Sequence, residues 1–399
     1  MKKLLCLLLA LTVFITPALA ADYDFEIDDG EWSVEVFDEL TVPASATELS
    51  IPAPSAILME RDTGSVLYEK NADEKLRPAS VTKVMTILLI AEAIDSGDIS
   101  LDDTVTTSAF ASSMGGSQVY LKEGETMTVR DMLKCIVVVS ANDCAVAMAE
   151  HLAGSESAFA GRMNARAADL GMVNTHFTNC TGLYDDDEHL TTARDIAIMS
   201  REVIKHKWLR DFTQIWTDTI RNGEFGLTNT NKLIRYFPGA TGLKTGYTSK
   251  AGRCLAASAE RDGVEYVAVV LNCATSDDRF NSAKTLLSYG FSTYSLVPVG
   301  ASEPIPPVEV TLGRQKYVQP VIENCDPVLV RKADVGRIER AFELDERVDA
   351  PVSEGEELGY LVMTLDGAEL ARVPLIAAES VERLSVWDLV VMILTAFGR

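Results

Sequence analysis

The sequence predicts an α/β (α+β) domain, an antiparallel sheet carrying a helical block, followed by a small all-β domain and a C-terminal helix. Three observations predict it. Strand-like segments occur as a pair from Ser55 to Tyr68 and as a triple from Gly242 to Leu271, with helical stretches between them, so one sheet draws on both ends of this region. Pro298–Pro307 holds four prolines in ten residues and reads as a linker. Val308–Ile376 then alternates short β-rich runs with turns such as Ser353-Glu354-Gly355-Glu356. The expected divisions are 1–20, 21–54, 55–297, 298–378 and 379–399, and a chain of 399 residues is long enough for two domains.

The first division has the form of an export signal. Lys2 and Lys3 supply the positive end, Leu4–Ile15 an apolar stretch too short to span a bilayer, and Ala18-Leu19-Ala20 a small-x-small cleavage site, with cleavage expected before Ala21. The alternative, a retained anchor, would call for a longer apolar run. Cys6 lies inside the run, away from a lipoprotein-type cleavage point. Ala21–Leu40 carries nine Asp or Glu and no Lys or Arg, and residues 21–54 read as an extended, mobile lead-in.

From Ser55 the pattern changes. Ala56–Glu60 and Ser65–Tyr68, joined through Asp62-Thr63-Gly64, read as a β-hairpin. A helix starts at Pro78, with proline at an early helical position. Val81, Val84, Met85, Ile87, Leu88, Leu89 and Ile90 cover most of its faces, which places it in a core, and Gly97 ends it. Helical stretches follow at about 130–153, 155–170 and 192–209. Gly242–Thr248, Arg253–Ala259 and Val264–Leu271 suit antiparallel strands, with Arg261-Asp262-Gly263 turning between the last two, and Ser276–Tyr289 returns to helix.

The formal net charge of −23 excludes nucleic acid as a partner, because phosphate binding calls for a basic face. It also disfavours electrostatic attachment to anionic lipid, so membrane contact should be hydrophobic. Beyond the signal stand Cys135, Cys144, Cys180, Cys254, Cys273 and Cys325. An even number in an exported chain allows disulfides. Their irregular spacing and apolar neighbours, such as Ile136–Val139 after Cys135, favour buried free thiols. His151, His176, His189 and His206 show no metal-ligand spacing, and no metal or cofactor is expected.

Three motifs carry the chemistry. In Ser80-Val81-Thr82-Lys83 the serine and lysine are three apart and share a helical face. A serine hydroxyl is a weak nucleophile until a base removes its proton. Lys83 can be that base if burial or a neighbouring cation, here Lys244, lowers its pKa. Ser80 also lies near a helix N-terminus, where N–H groups can stabilise an oxyanion. This is the only Ser-x-x-Lys in the chain, and it opens an apolar helix, where a lysine calls for a reason. Ser140-Ala141-Asn142 follows an apolar run and offers a hydroxyl for proton relay and an amide for substrate. Taken alone it reads better as a helix cap. Lys244-Thr245-Gly246 sits on a predicted strand, where Lys244 and Gly246 share one face and Gly246 lets a substrate backbone lie close.

The order and separations of the three motifs match the penicillin-recognising serine hydrolases, whose middle motif carries Asp where Ala141 stands here. The chain more closely resembles the low-molecular-weight D-alanyl-D-alanine carboxypeptidases. The segments RPASVTKVMT, VVVSANDCAVAMAE and GATGLKTGYTSKAGRCLAASA look like that family's signatures. SSMGGSQVYLKEGETMTVRDML and TNCTGLYDDDEHLTTARDIA resemble its connecting segments. The resemblance covers about Ser55–Tyr294 and extends more weakly to the β domain and terminal helix.

It implies a serine-type peptidase that removes the terminal D-alanine of peptidoglycan stem peptides ending in D-Ala-D-Ala and is acylated by β-lactams. By resemblance Ser80 is the nucleophile, Lys83 the general base and Ser140 a proton relay. Asn142 binds the acyl side, while Lys244, Thr245, Gly246 and Arg279 line the carboxylate end. The backbone N–H groups of Ser80 and Tyr247 form the oxyanion hole. Cys180 departs from a frequent proline, and His189 in the same loop reads as structural.

Other readings remain open at this level. The same motifs serve β-lactamases, DD-endopeptidases and transpeptidases, although Asp185, Asp186, Asp187 and Glu188 do not resemble a Glu-x-x-x-Asn deacylation motif. A non-catalytic β-lactam sensor could share the fold. Residues 380–399 form a last helix rich in Trp, Val, Ile and Leu, too short to cross a bilayer. It suits an interfacial position on the outer face of the cytoplasmic membrane, the alternative being a helix docked on the β domain.

Overall fold

The computed structural model describes residues 49–323 and 325–397. The expected signal segment 1–20 and the expected lead-in up to residue 48 lie outside them. β1 (Ser55–Glu60) and β2 (Val66–Lys70) form the expected hairpin. A 3-10 turn, Ala79–Thr82, then feeds α1 (Lys83–Asp95). Two short strands, β3 (Thr104–Thr106) and β4 (Thr126–Thr128), pair around α2 (Ala109–Ser112). α3 (Val129–Val138), α4 (Asn142–Ala153), α5 (Glu156–Asp169), α6 (Ala193–Lys205) and α7 (Arg210–Thr213) make the helical block. The hairpin of β5 (Thr217–Ile220) and β6 (Phe225–Thr228) follows, then α8 (Leu233–Tyr236). β7 (Ala240–Thr248), β8 (Gly252–Arg261) and β9 (Val264–Cys273) precede α9 (Ser276–Thr293).

Among the described residues the central sheet has five strands in the order β2-β1-β9-β8-β7, with both ends of the region in one antiparallel layer. Its strands bury both faces, which is why β1 and β9 read as nearly continuous hydrophobic runs. The period of two sorts the side chains. Ile57, Met59, Val267, Val269 and Leu271 pack on the helical block, while Ala56, Leu58, Tyr266, Ala268 and Val270 pack on α9. α1 runs through the first of these cores, burying Val84, Met85, Ile87, Leu88 and Ile90. Each such side chain contributes roughly 1.5–3 kcal/mol. Together they offset the cost of the lysine amine buried at the helix start, several kcal/mol for a charged group.

Three expectations are corrected. The lead-in ends earlier than residue 54: Leu49, Ile51 and Ala53 are buried against the α9 side of the sheet. They alternate with polar or proline residues as a core-edge segment does, a pattern hidden beneath Pro52 and Pro54. The helix expected over 130–153 is two helices, broken where Ser140 takes a left-handed φ of 66°. The terminal helix starts at residue 386 rather than 379, since Val381 and Arg383 bridge to Val352 and Gly313.

The β-rich region contains β10 (Tyr294–Val297), β11 (Val308–Thr311), β12 (Tyr317–Val318), β13 (Pro320–Ile322) and β14 (Val328–Arg331). β15 (Ile338–Leu344), β16 (Arg347–Asp349), β17 (Glu357–Leu365) and β18 (Ala368–Ala377) complete it. β10 follows α9 directly and pairs with β14, so this region is hydrogen-bonded to the end of the first domain. Ser385 and Asp388 cap α10 (Val386–Phe397) reciprocally, and Arg314 pairs with Asp388. Trp387 is nevertheless 74% exposed, and Val386, Leu389 and Val390 are exposed beside it. Among the described residues no helix is long and apolar enough to cross a membrane.

Candidate active site

Ser80 sits in the 3-10 turn immediately before α1, and Lys83 is the first residue of the helix. Lys83 Nζ donates to Ser80 Oγ at 3.0 Å and to the Thr181 carbonyl at 2.9 Å. The amine is buried, and burial pushes its pKa down to about 7, against the pull of Cys180, Asp143 and Glu156. Burial, one of the two causes expected from the sequence, therefore discharges this lysine, and the cation Lys244 is not needed for it.

Lys244 is also fully buried and hydrogen-bonds the Thr245 carbonyl at 3.1 Å. Burial first, then the charges of Lys83 and Arg279, hold its pKa well below the ordinary lysine value. Its charged form is thus disfavoured in the buried site. An arriving carboxylate would favour the charged form of Lys244.

Two close approaches lock the nucleophile turn. β7 stands at the end of the sheet order and lies against this turn. A Cβ on Gly246 would meet Pro78 O at 2.8 Å and the nitrogens of Ser80 and Val81 at 3.0 Å. The glycine thus makes room for the enzyme's own nucleophile turn, where sequence reasoning reserved the space for substrate. From the opposite side Gly182, at φ 69°, lies so close that a Cβ would stand 1.9 Å from Ala79 O. Thr245 Oγ1 donates to Thr230 Oγ1 at 2.8 Å. Arg279, set in the first turn of α9 by the Thr275–Asp278 capping box, directs Nη1 to the Gly246 carbonyl at 3.4 Å. Tyr247 is partly exposed, with the Arg253 guanidinium 4.7 Å above its ring.

Ser140 and Asn142 occupy the break between α3 and α4. Asn142 Nδ2 donates to Gly115 O at 2.8 Å. Ser140 Oγ and Asn142 Oδ1 are buried and have no hydrogen-bond partner among the described residues. Ser140 is thus not hydrogen-bonded to Ser80 or Lys83. A buried unpaired polar atom costs roughly 1–3 kcal/mol, so two together mark a place where an incoming group is to be bound.

The sequence placed Cys180 and His189 in one loop but did not reveal the contacts that residues 178–189 make with the nucleophile turn. Asn179 Oδ1 accepts from Thr181 N (3.1 Å) and Gly182 N (2.7 Å), an Asx-type turn that brings the Thr181 carbonyl to Lys83. Asn179 followed by Gly182 is a local turn signal that could have revealed it. The Cys180 N–H donates to Glu156 Oε1 at 3.2 Å, a bond that a proline there could not make. His189 Nδ1 accepts from the Thr178 N–H at 3.0 Å, which assigns its proton to Nε2. Nε2 then donates to Thr82 Oγ1 at 2.8 Å, and Thr82 Oγ1 donates to Ala79 O at 2.8 Å. His189 therefore braces the residue before Ser80. Asp185 accepts from Thr248 at 2.5 Å and Asp187 pairs with Arg77, so these acids tie the loop down beside the site.

Residues 42–275 match the D-alanyl-D-alanine carboxypeptidase family, and residues 291–383 match the C-terminal domain of penicillin-binding protein 5. The chain belongs to the D-alanyl-D-alanine carboxypeptidase family. Among its carboxypeptidase relatives, DacF of Bacillus subtilis is 40% identical, over 96% of this chain and 95% of the relative. DacC of Escherichia coli is 33% identical over 88% and 91%. The structure of penicillin-binding protein 5 from Haemophilus influenzae matches 84% of this chain and 99% of its own, with a TM-score of 0.71 at 29% identity. Ampicillin-bound penicillin-binding protein D2 of Listeria monocytogenes matches 61% of this chain and 99% of its own, with a TM-score of 0.56 at 32% identity. The match to penicillin-binding protein 5 covers 84% of this chain, and the two matched families together reach from residue 42 to residue 383, across both the sheet-and-helix domain and the β-rich region.

Proposed function

We propose that this chain hydrolyses the terminal D-Ala-D-Ala bond of peptidoglycan stem peptides through an acyl-ester on Ser80, and that β-lactams acylate the same hydroxyl. The observation that carries this reading is the 3.0 Å contact between Lys83 Nζ and Ser80 Oγ, with the amine discharged at about neutral pH. Lys83 takes the Ser80 proton as Oγ attacks the carbonyl. The N–H groups of Ser80 and Tyr247 hold the developing oxyanion. Ser140 relays a proton to the departing amine of D-alanine, and Asn142 holds the acyl-side amide. Lys244, Thr245 and Arg279 face the terminal carboxylate, with Gly246 allowing their strand to close on the nucleophile. Water then hydrolyses the ester, and Lys83 again serves as the base.

The chain acts outside the cytoplasm, on the outer face of the cytoplasmic membrane. The exposed Val386, Trp387, Leu389 and Val390 of α10 would lie in the membrane surface and hold the enzyme near its polymer. Fractionation with and without residues 380–399 tests this, since loss of membrane association is expected only from the shortened chain. The activity itself is tested by D-alanine release from a peptide ending in D-Ala-D-Ala. Release by the unsubstituted enzyme and none by Ser80→Ala is expected; equal release by both would overturn the assignment.

A further inference from the structure

The segment from Gly115 to Leu121 leaves the site along the N-terminus of α4. Asn142 N–H donates to Ser117 O at 2.7 Å. The next residue, Asp143, is buried, and its Oδ2 accepts the N–H groups of Val119 at 3.1 Å and Leu121 at 3.0 Å. Val119 and Leu121 turn their side chains into the core. Tyr120, between them, is forced outward. It takes a left-handed φ of 59°, and it is 66% exposed. A bulky residue in that conformation is costly, and such strain persists where the surroundings over-determine it.

The ring does not project alone. Phe225 meets it edge-on, with centroids 6.4 Å apart at 63°. The Arg221 guanidinium lies 5.5 Å from the Phe225 centroid. It is itself fixed, donating from Nε to Glu125 Oε1 and from Nη1 to Val119 O, both at 2.8 Å. Val119, the residue before Tyr120, is thus held at its N–H by Asp143 and at its carbonyl by Arg221. These groups line a cleft of about 690 Å3 with the exposed Lys122 and Glu123 at its rim. Ser117 and Tyr120 are three positions apart, a span of at most roughly 11 Å, so the cleft adjoins the Asn142 side of the site.

We infer that Tyr120, Phe225 and Arg221 form a second binding site, a shelf for a pyranose ring of the glycan that carries the stem peptide. The inference rests on the peptidoglycan substrate proposed above. The C–H face of a sugar packs on the electron-rich face of an aromatic ring, and the charged rim supplies hydrogen bonds to its hydroxyl and amide groups. A purely apolar peptide side chain would leave that rim unused. Continuity with Asn142, on the acyl side, matches the end of the substrate that bears the sugar.

Two substrates separate this shelf from the catalytic reading: a short glycan-free peptide ending in D-Ala-D-Ala, and a disaccharide-pentapeptide. Tyr120→Ala is expected to lower kcat/KM for the disaccharide-pentapeptide about tenfold through KM, the consequence of losing one aromatic face. The glycan-free peptide and penicillin acylation serve as folding controls and should change by less than about twofold on the same scale. Tyr120→Phe, which keeps the ring, should restore the disaccharide substrate. Equal losses on both substrates, or no loss on either, would overturn the shelf, as would a loss seen only with a protein partner. If the unsubstituted enzyme released D-alanine from neither substrate, the catalytic reading would fail instead. Calorimetric binding of the peptide-free disaccharide would then judge the shelf: binding abolished by Tyr120→Ala supports it, and no binding rejects it.

Discussion

A Cβ on Gly246 would stand 3.0 Å from the backbone nitrogen of Ser80. The glycine of the Lys-Thr-Gly strand therefore sets how closely β7 approaches the nucleophile. Gly246→Ala should push the strand and the turn apart. Misplacing a catalytic group by even an ångström costs about 100-fold in rate, and the acylation rate with a fluorescent penicillin should fall by that order. Circular dichroism should show the fold retained. An alanine variant acylated at the original rate would show that the strand tolerates the shift.

The buried Lys83 amine dictates a pH profile. Only the neutral amine can accept the Ser80 proton, and its pKa lies at about 7. The acylation rate should therefore rise as pH increases to about 7 and level off above it, falling about tenfold per pH unit on the acid side. Lys83→Arg, which stays protonated, should lose about 100-fold or more throughout. Stopped-flow acylation across pH measures both. A rate independent of pH between 5 and 8, in a range chosen about the lysine value of about 7, would remove Lys83 as the base.

His189 predicts a stability profile of opposite origin. Burial pushes its pKa down from 6.5 to about 4, so the native state holds the ring neutral while the unfolded chain binds a proton sooner. Its contribution is complete above the unfolded value and is lost as pH falls through the folded one. The window from 6.5 to about 4 is worth up to about 3 kcal/mol. Urea denaturation of His189→Gln should show a shallower loss of stability across that window than the unsubstituted protein. Parallel pH curves for the two would contradict the neutral brace.

The motifs were legible because each is local. Ser80 and Lys83 are one helical turn apart, and Lys244 and Gly246 share a strand face. The helix–sheet layering was legible from the apolar runs of β1 and β9 and the all-round apolar faces of α1. What stayed hidden depends on contacts between distant residues. Thr181 O reaches Lys83, and His189 reaches Thr82, across about a hundred residues of chain. Which of the two expected causes discharges Lys83 was not legible, because burial of an amine is a property of the packed core, whereas Lys244 was visible as a charge in the sequence. Tyr120 drew no reading from the sequence, since its outward turn follows from the Asp143 carboxylate.

The six cysteines among the described residues are free, and Cys135, Cys144, Cys180, Cys254 and Cys273 are buried, with Cys325 partly exposed. Burial also raises the pKa of the Cys254 thiol to about 11, which keeps it unreactive. Labelling the native protein with a thiol reagent should modify Cys325 first and the others only on unfolding. Rapid labelling of Cys254 or Cys180 in the native state would show that the loops over the nucleophile open.

Peptide mapping by mass spectrometry after exposure to penicillin tests the central claim most directly. A single penicilloyl adduct on the peptide bearing Ser80, absent from Ser80→Ala and slowed by lowering the pH below that of the Lys83 amine, is the expected result. An adduct on any other residue, or one that persists in the Ser80→Ala protein, would contradict the account.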